Sequence, residues 1–200
     1  MSARTLRAKT RTVSIKRIVL WATVAVLGAG VLLAVALSNR SVKPIDTEAP
    51  PYNALTVGDA APPFSVATTQ GPFSLADATK PVFLEVFATW CPHCQHETAV
   101  INALYDRYKR SVDFVAVSGN QYAHDRVSPE SLADVLGFAQ FFKVRYPIAY
   151  DASLDVAKSY LQAGYPTIVV IRADKRIAYI GSGEVSQQTL VSQLRRVVAK

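Results

Sequence analysis

One stretch of this sequence constrains the fold more than any other. The apolar run at residues 81–88, PVFLEVFA, is rich in Val and Phe and suits a central strand buried on both faces. Residues 94–110 then repeat apolar side chains at helical spacing and carry cations near the far end. A buried strand that runs almost directly into a helix predicts an α/β protein.

The remainder of the chain continues this alternation of strands and helices. Pro62 and Pro63 do not suit a central strand, so the first strand is predicted at an edge, whereas Ser128 and Pro129 are typical of an N-cap and a first helical position. The predicted elements are an edge strand and turn within 55–71, strands at 113–118, around 148, at 167–172 and at 176–181, and helices at 129–142, 154–161 and 187–198. This order predicts a mixed sheet with helices on both faces.

A second feature, near the N-terminus, predicts a membrane anchor. Residues 18–37 hold 20 consecutive positions without a charge, which at about 1.5 Å per residue matches a hydrocarbon core of about 30 Å. Six basic residues precede this run, so the positive-inside rule keeps the N-terminus cytoplasmic and sends the rest of the chain across the membrane. A cleavable signal peptide is the alternative, with small residues at 34–36, but the run exceeds the usual length of about 7–15 residues.

The net charge of +7 comes from this N-terminal part. Residues 1–40 carry seven basic residues and no acid, which leaves 15 basic residues to match the chain's 15 acids. The rest of the chain therefore offers no basic face for nucleic acid. The predicted organisation is a basic cytoplasmic segment at 1–17, the anchor at 18–37, a proline-containing extracytoplasmic linker at 38–54 and one folded domain at 55–200.

The chain has two cysteines, Cys91 and Cys94, placed between the buried strand and the helix. A disulfide between them would close a ring too small to stabilise a fold appreciably. A helix N-terminus stabilises a thiolate, so we predict Cys91 as the nucleophile and Cys94 as the less exposed resolving residue. Haem attachment would need a histidine where Gln95 stands, and structural zinc normally needs a second ligand pair.

Glu85 is out of character in the middle of the buried run. Burying an ionised, unpartnered carboxylate costs several kcal/mol, so this side chain has either a partner or a raised pKa.

The motif FATWCPHC from Phe87, followed by GYPT at 164–167, resembles the thioredoxin superfamily, most closely the membrane-anchored TlpA and ResA type of periplasmic thiol-disulfide oxidoreductase. The resemblance extends from about residue 55 to the C-terminus. It implies a thioredoxin-like fold and an enzyme that exchanges disulfides with partner proteins, in cytochrome c maturation or in disulfide formation. The resemblance also implies that this enzyme requires no cofactor and no metal. Location in a bacterial inner membrane, with the catalytic domain in the periplasm and a transmembrane electron donor or acceptor as partner, is also expected.

The resemblance assigns roles to four further residues. Pro166 matches the cis-proline beside the cysteines, and Tyr165 would offer its backbone to a substrate chain. Glu85 matches the buried acid that manages the proton of the resolving cysteine. Glu97 matches an active-site glutamate of the ResA type, and the alternative for it is an ordinary acid in the first turns of a helix.

Trp90, Pro92 and His93 complete the expected substrate-binding residues, with Trp90 packed over the site. The Pro-His pair resembles the oxidant DsbA, where it favours the thiolate, although His93 is alternatively just an exposed residue at a helix start. His96 and His124 receive no role. A copper-handling protein of the same fold, and less so a thiol peroxidase, remain alternative functions.

Overall fold

The computed structural model describes residues 55–199, which form seven strands and four helices. In chain order these are β1 Ser65–Thr68, β2 Gly71–Ser74, β3 Val82–Phe87, α1 Pro92–Tyr108, β4 Asp113–Ser118, α2 Leu132–Phe141, β5 Ile148–Tyr150, α3 Asp155–Tyr160, β6 Thr167–Ile171, β7 Ile177–Ser182 and α4 Gln187–Val198. The predicted segments at 1–17, 18–37 and 38–54 lie outside the described residues. Between residues 55 and 199 no helix has the length and apolarity needed to span a bilayer.

The strands form one mixed sheet in the order β2-β1-β5-β4-β3-β6-β7. Strands β3, β4 and β5 run parallel, whereas β6 lies antiparallel to both β3 and β7. Two reversals therefore make β7 run in the same direction as β3. Since parallel strands end at the same edge of a sheet, the residues that follow β7 lie on the edge where α1 begins.

Strand β3 is central, and all six of its residues are buried. Its alternate side chains enter two different apolar clusters: Phe83 and Phe87 join the cluster that contains α1, α2 and α4, whereas Leu84 and Val86 join the cluster that contains α3. The prediction of a mixed sheet with helices on both faces is therefore confirmed. Glu85 shares its face with Phe83 and Phe87, which places it beneath α1.

The second predicted helix starts later than expected. It spans Leu132–Phe141 and is capped by Ser131, which exchanges hydrogen bonds with the third residue of the helix. Ser128 instead donates its hydroxyl to Asp125 at 2.6 Å and its backbone N–H to the same carboxylate. The prediction of Ser128 as N-cap and Pro129 as first helical residue is wrong, because loop contacts hold these residues outside the helix.

The N-terminal part of the sheet also differs from the prediction. Strand β1 pairs on one side with β5 and on the other with β2, so the edge strand is β2, which the sequence pattern did not predict. Gly71 has φ of +112°, a conformation that residues with a side chain rarely adopt. It allows the chain to reverse tightly between β1 and β2. The other predicted strands and helices are confirmed to within a few residues.

Candidate active site

The site lies where the buried strand β3 ends and helix α1 begins. The Cys91 N–H donates to the Ala88 carbonyl at 3.1 Å, which turns the chain, and Pro92 takes the first helical position, where a missing N–H costs nothing. Cys91 itself is the N-cap of α1, and its sulfur accepts the backbone N–H of Cys94 at 3.4 Å. The predicted placement of Cys91 at the helix tip is confirmed.

This position favours the ionised form of Cys91. A hydrogen bond from the Cys94 thiol is the largest of several effects that lower the pKa of Cys91 to about 6. Burial opposes that shift, whereas the backbone N–H groups of Cys94 and His93 and the His93 imidazole act in the same direction. The Cys91 residue is only 4% exposed, so little of its surface is open to a partner sulfur.

Cys94 lies one turn further into the protein and is fully buried. Burial is the main cause that raises its pKa far above the ordinary value, followed by its hydrogen bond to Cys91 and the negative charge of Glu85. Both cysteines are free thiols in this structure. The two sulfurs thus differ sharply in acidity, as a nucleophile and a resolving residue should.

Glu85 is 2% exposed and lies within the same interior. Burial, reinforced by the charge of Glu97, raises the pKa of Glu85 to about 8. The Tyr146 hydroxyl donates to its carboxylate at 3.4 Å and partly opposes this shift. The structure therefore shows both outcomes that the apolar strand allowed, a partner in Tyr146 and a raised pKa.

Glu97 is 3% exposed, so it is not an ordinary solvent-facing acid of a first helical turn. Burial is the main cause that raises its pKa to about 7, the negative charge of Glu184 adds to the shift, and the backbone N–H of Val185 opposes it. Because Glu97 in turn raises the pKa of Glu85, the two acids are electrostatically linked. Its catalytic role stays a prediction.

The residues around the predicted cis-proline meet the nucleophile. The Tyr165–Pro166 peptide bond is cis, and the Cys91 thiol donates to the Tyr165 carbonyl at 3.6 Å. The Trp90 ring packs edge-to-face on Tyr165, with centroids 5.9 Å apart, and the Arg126 guanidinium lies 4.6 Å from the Trp90 ring. The structure thus brings these residues together, while their contacts with substrate remain predictions.

Glu184 is a site residue that sequence reasoning missed. Its Oε1 atom lies 2.8 Å from Nδ1 of His93 and 3.3 Å from Nδ1 of His96. The available signal was its position directly after a strand that runs parallel to β3, together with the glycines on its N-terminal side. Reading that signal required the strand order, which the sequence pattern alone did not establish.

Glu130 was also missed, although it supports the loop that precedes Cys91. It is buried, accepts the Thr89 hydroxyl at 2.9 Å and also accepts the Ser118 hydroxyl. Burial is the main cause that raises its pKa. Nothing in the local sequence marks this acid, because its partners come from two other segments.

The arrangement offers little to a metal ion. Among residues 55–199, no group of three or more His, Cys, Asp and Glu side chains is placed to hold one. The Nδ1 atom of His124 lies 3.4 Å from the Thr89 carbonyl oxygen.

Comparisons with known proteins agree with this chemistry. The family model described as Redoxin matches residues 56–198. The thiol-disulfide oxidoreductase ResA of Bacillus thuringiensis subsp. konkukian is 27% identical over 146 residues, which cover 72% of this chain and 79% of that protein. ResA of Geobacillus thermodenitrificans is 29% identical over 147 residues, with the same coverage of each chain.

Solved structures with similar folds include a thiol:disulfide interchange protein of the thioredoxin family from Chlorobium tepidum, with a TM-score of 0.59 at 24% identity, covering 72% of this chain and 99% of that one. StoA from Bacillus subtilis gives a TM-score of 0.55 at 23% identity, covering 66% and 96%. At these identities the structural likeness shows the thioredoxin-like fold alone.

Proposed function

This chain belongs to the Redoxin family, as a TlpA/ResA-like protein of the thioredoxin superfamily and a thiol-disulfide oxidoreductase, and from that premise we propose how its own residues perform the exchange. The observation that carries the proposal is the unequal state of the two sulfurs. The pKa of Cys91 is lowered to about 6 at the helix tip, whereas burial raises that of Cys94.

In the first step the Cys91 thiolate attacks one sulfur of a disulfide in a partner protein. A Cys91–partner S–S bond forms, the partner's own S–S bond breaks, and its second sulfur leaves as a thiolate that takes up a proton. Near neutral pH most Cys91 is ionised, because its pKa of about 6 lies below the ambient pH. The Tyr165 carbonyl, 3.6 Å from the Cys91 sulfur, marks the side on which a partner's extended chain would lie.

In the second step Cys94 resolves the mixed disulfide. Its thiol loses a proton to Glu85 when that side chain is ionised, which at neutral pH is a minority of molecules because the pKa of Glu85 is about 8. The resulting thiolate attacks the Cys91 sulfur. The Cys91–Cys94 bond forms and the partner leaves as a thiolate, so the partner gains two electrons and the enzyme becomes oxidised. Run in reverse, the same steps oxidise a partner dithiol. Every atom that reacts belongs to the two proteins, so the exchange needs no metal and no organic cofactor.

We further propose that this exchange takes place outside the cytoplasmic membrane of a bacterium, on a domain tethered by residues 18–37. The support is the uncharged run of 20 residues and the cations that precede it. In that compartment the partners would be proteins of cytochrome c maturation or of disulfide formation, with a transmembrane donor or acceptor of electrons. In an oxidising compartment a pair of cysteines can form a disulfide and exchange it with partner proteins.

The roles of the two sulfurs can be separated by substitution. Cys91→Ser should abolish the reduction of insulin disulfides, whereas Cys94→Ser should also lose turnover but accumulate a mixed disulfide with the partner, visible as a thiol-sensitive adduct by mass spectrometry. The double variant is the matched control and should form no adduct. Turnover retained by Cys91→Ser, or an adduct formed by the double variant, would contradict the proposal.

The direction of the reaction follows from the reduction potential. Equilibrating the domain with graded glutathione buffers and counting alkylated thiols gives the ratio of dithiol to disulfide at each buffer composition. A strongly oxidising value, near that of DsbA, would assign disulfide formation. A value well below that of the surrounding compartment would assign reduction, as cytochrome c maturation requires.

A further inference from the structure

The loop between β7 and α4 touches the active site at three consecutive residues. The Gly183 N–H donates to the Pro166 carbonyl at 2.8 Å, the Glu184 carboxylate contacts two histidines of α1, and the backbone N–H of Val185 lowers the pKa of Glu97. Gly183 has φ of +79°, in the left-handed region, so the chain turns there without strain. This turn directs Glu184 toward the tip of α1.

One oxygen of Glu184 serves both histidines. His93 and His96 are three residues apart and therefore lie on one face of α1, and their Nδ1 atoms approach the same Oε1 atom at 2.8 Å and 3.3 Å. The side chain of Glu184 is 47% exposed and that of His93 is 63% exposed. The contact with His93 is the shorter, and His93 is also the histidine that acts on the nucleophile.

We propose that Glu184 is a positioning residue, which holds the His93 imidazole in place and in its cationic form beside the Cys91 sulfur. This inference rests on the proposed function and adds to it a control of how oxidising the cysteine pair is. A cation near Cys91 stabilises the thiolate and hence the reduced pair, which makes the disulfide a stronger oxidant. Glu184 would act on the sulfur through His93 and not by contact.

The charges around His93 determine the direction of the effect. His93 interacts with the charges of Glu184 and Cys91, and Glu184 in turn interacts with those of His93, His96 and Glu97. The hydrogen bond that His93 donates to Glu184 is the main cause that raises the pKa of His93, and the same bond lowers the pKa of Glu184. Without this carboxylate, His93 would lose its proton at lower pH, and Cys91 would lose a neighbouring cation.

The test substitutes Glu184→Gln, which keeps the size of the side chain and removes its charge. We expect the pKa of His93, followed by NMR, to fall, and the pKa of Cys91, followed by alkylation, to rise. The equilibrium constant with glutathione should shift about two- to fivefold toward the disulfide, the range that exposed charge pairs produce. Asp106→Asn is the matched control, because it removes an exposed carboxylate paired with Arg145 at 2.7 Å and should change none of these values.

A second comparison identifies the route of the effect. In a His93→Gln background, Glu184→Gln should cause no further change in the pKa of Cys91 or in the glutathione equilibrium. An unchanged pKa of His93 in the single variant, or an equally large shift in the His93→Gln background, would overturn the inference. Neither result would contradict the proposed function, which is tested separately by the turnover of the Cys91→Ser and Cys94→Ser variants.

Discussion

The tip of α1 and the interior beneath it shift the pKa values of acidic side chains in opposite directions. At the tip, a hydrogen bond from the Cys94 thiol, then backbone N–H donors and a neighbouring imidazole, lower the pKa of Cys91 to about 6. In the interior, Cys94 and Glu85 are both buried, and burial raises both pKa values, that of Glu85 to about 8.

The difference shows that residue type does not decide the roles of the two sulfurs. They are three positions apart on one helix, so both lie close to the positive end of its dipole. What separates them is that the outer sulfur accepts hydrogen bonds, first from the Cys94 thiol and then from backbone N–H groups, while the inner one loses solvent and faces a carboxyl group. The order of events in disulfide exchange therefore follows from the hydrogen bonds and the burial of each sulfur.

Among the substitutions, Glu85→Gln should have the largest effect, on both the resolution rate and the free energy of unfolding. Removing the base should slow the resolution of the mixed disulfide about 100-fold, the size typical of losing a general base. Since the pKa of Glu85 rises from 4.5 to about 8 on folding, the variant should also be more stable at pH 7 by at most about 3 kcal/mol. Stopped-flow kinetics and urea unfolding give the two values.

The pH dependence of that stability gain has a defined sign. Below the unfolded pKa of 4.5 the carboxyl is protonated in both states, so the gain should vanish there. It should grow as the pH rises from 4.5 to about 8, because only the unfolded chain ionises easily in that window. A gain that is constant with pH, or a resolution rate equal to wild type, would refute the assignment of Glu85. Asp106→Asn, an exposed change, should leave both quantities near wild type.

Glu97→Gln should have a smaller effect, which acts through the pKa of Glu85. The charge of Glu97 is the second cause that raises the pKa of Glu85, after burial. Without it the pKa of Glu85 should fall below about 8 but stay above its ordinary value. The measurement is the pH dependence of unfolding free energy, with Glu97→Gln compared in the presence and absence of Glu85→Gln. Strictly additive effects at every pH would mean that the two acids do not interact.

The sequence predicted strand β3, the start of α1 and the importance of Glu85 well, because the signals for all three are local. Strand β3 is marked by an unbroken apolar run, and the helix tip by Pro92 directly after Cys91. Glu85 stands out because an acid in that run has few explanations. These residues lie within ten positions of one another, so a pattern in one short segment was sufficient.

Two of the contacts that were missed join distant segments, whereas the start of α2 depends on a local one. Glu184 reaches His93 across 91 positions of the chain, and Tyr146 reaches Glu85 across 61. The start of α2 was misplaced because Ser128 and Ser131 are equally plausible caps locally. A contact of Ser128 with Asp125 decides between them in the folded chain.

The most direct test of the account is a pH titration of both sulfurs in the reduced wild-type protein. Wild type is required because the Cys94 thiol itself lowers the pKa of Cys91. Short pulses of iodoacetamide from about pH 4 to about pH 10, read peptide by peptide by mass spectrometry, follow each thiolate separately. We expect Cys91 to react with a midpoint near 6 and Cys94 to stay largely unreactive throughout. A Cys91 midpoint near the free-thiol value of about 8.5, or equal reactivity of the two sulfurs, would contradict it.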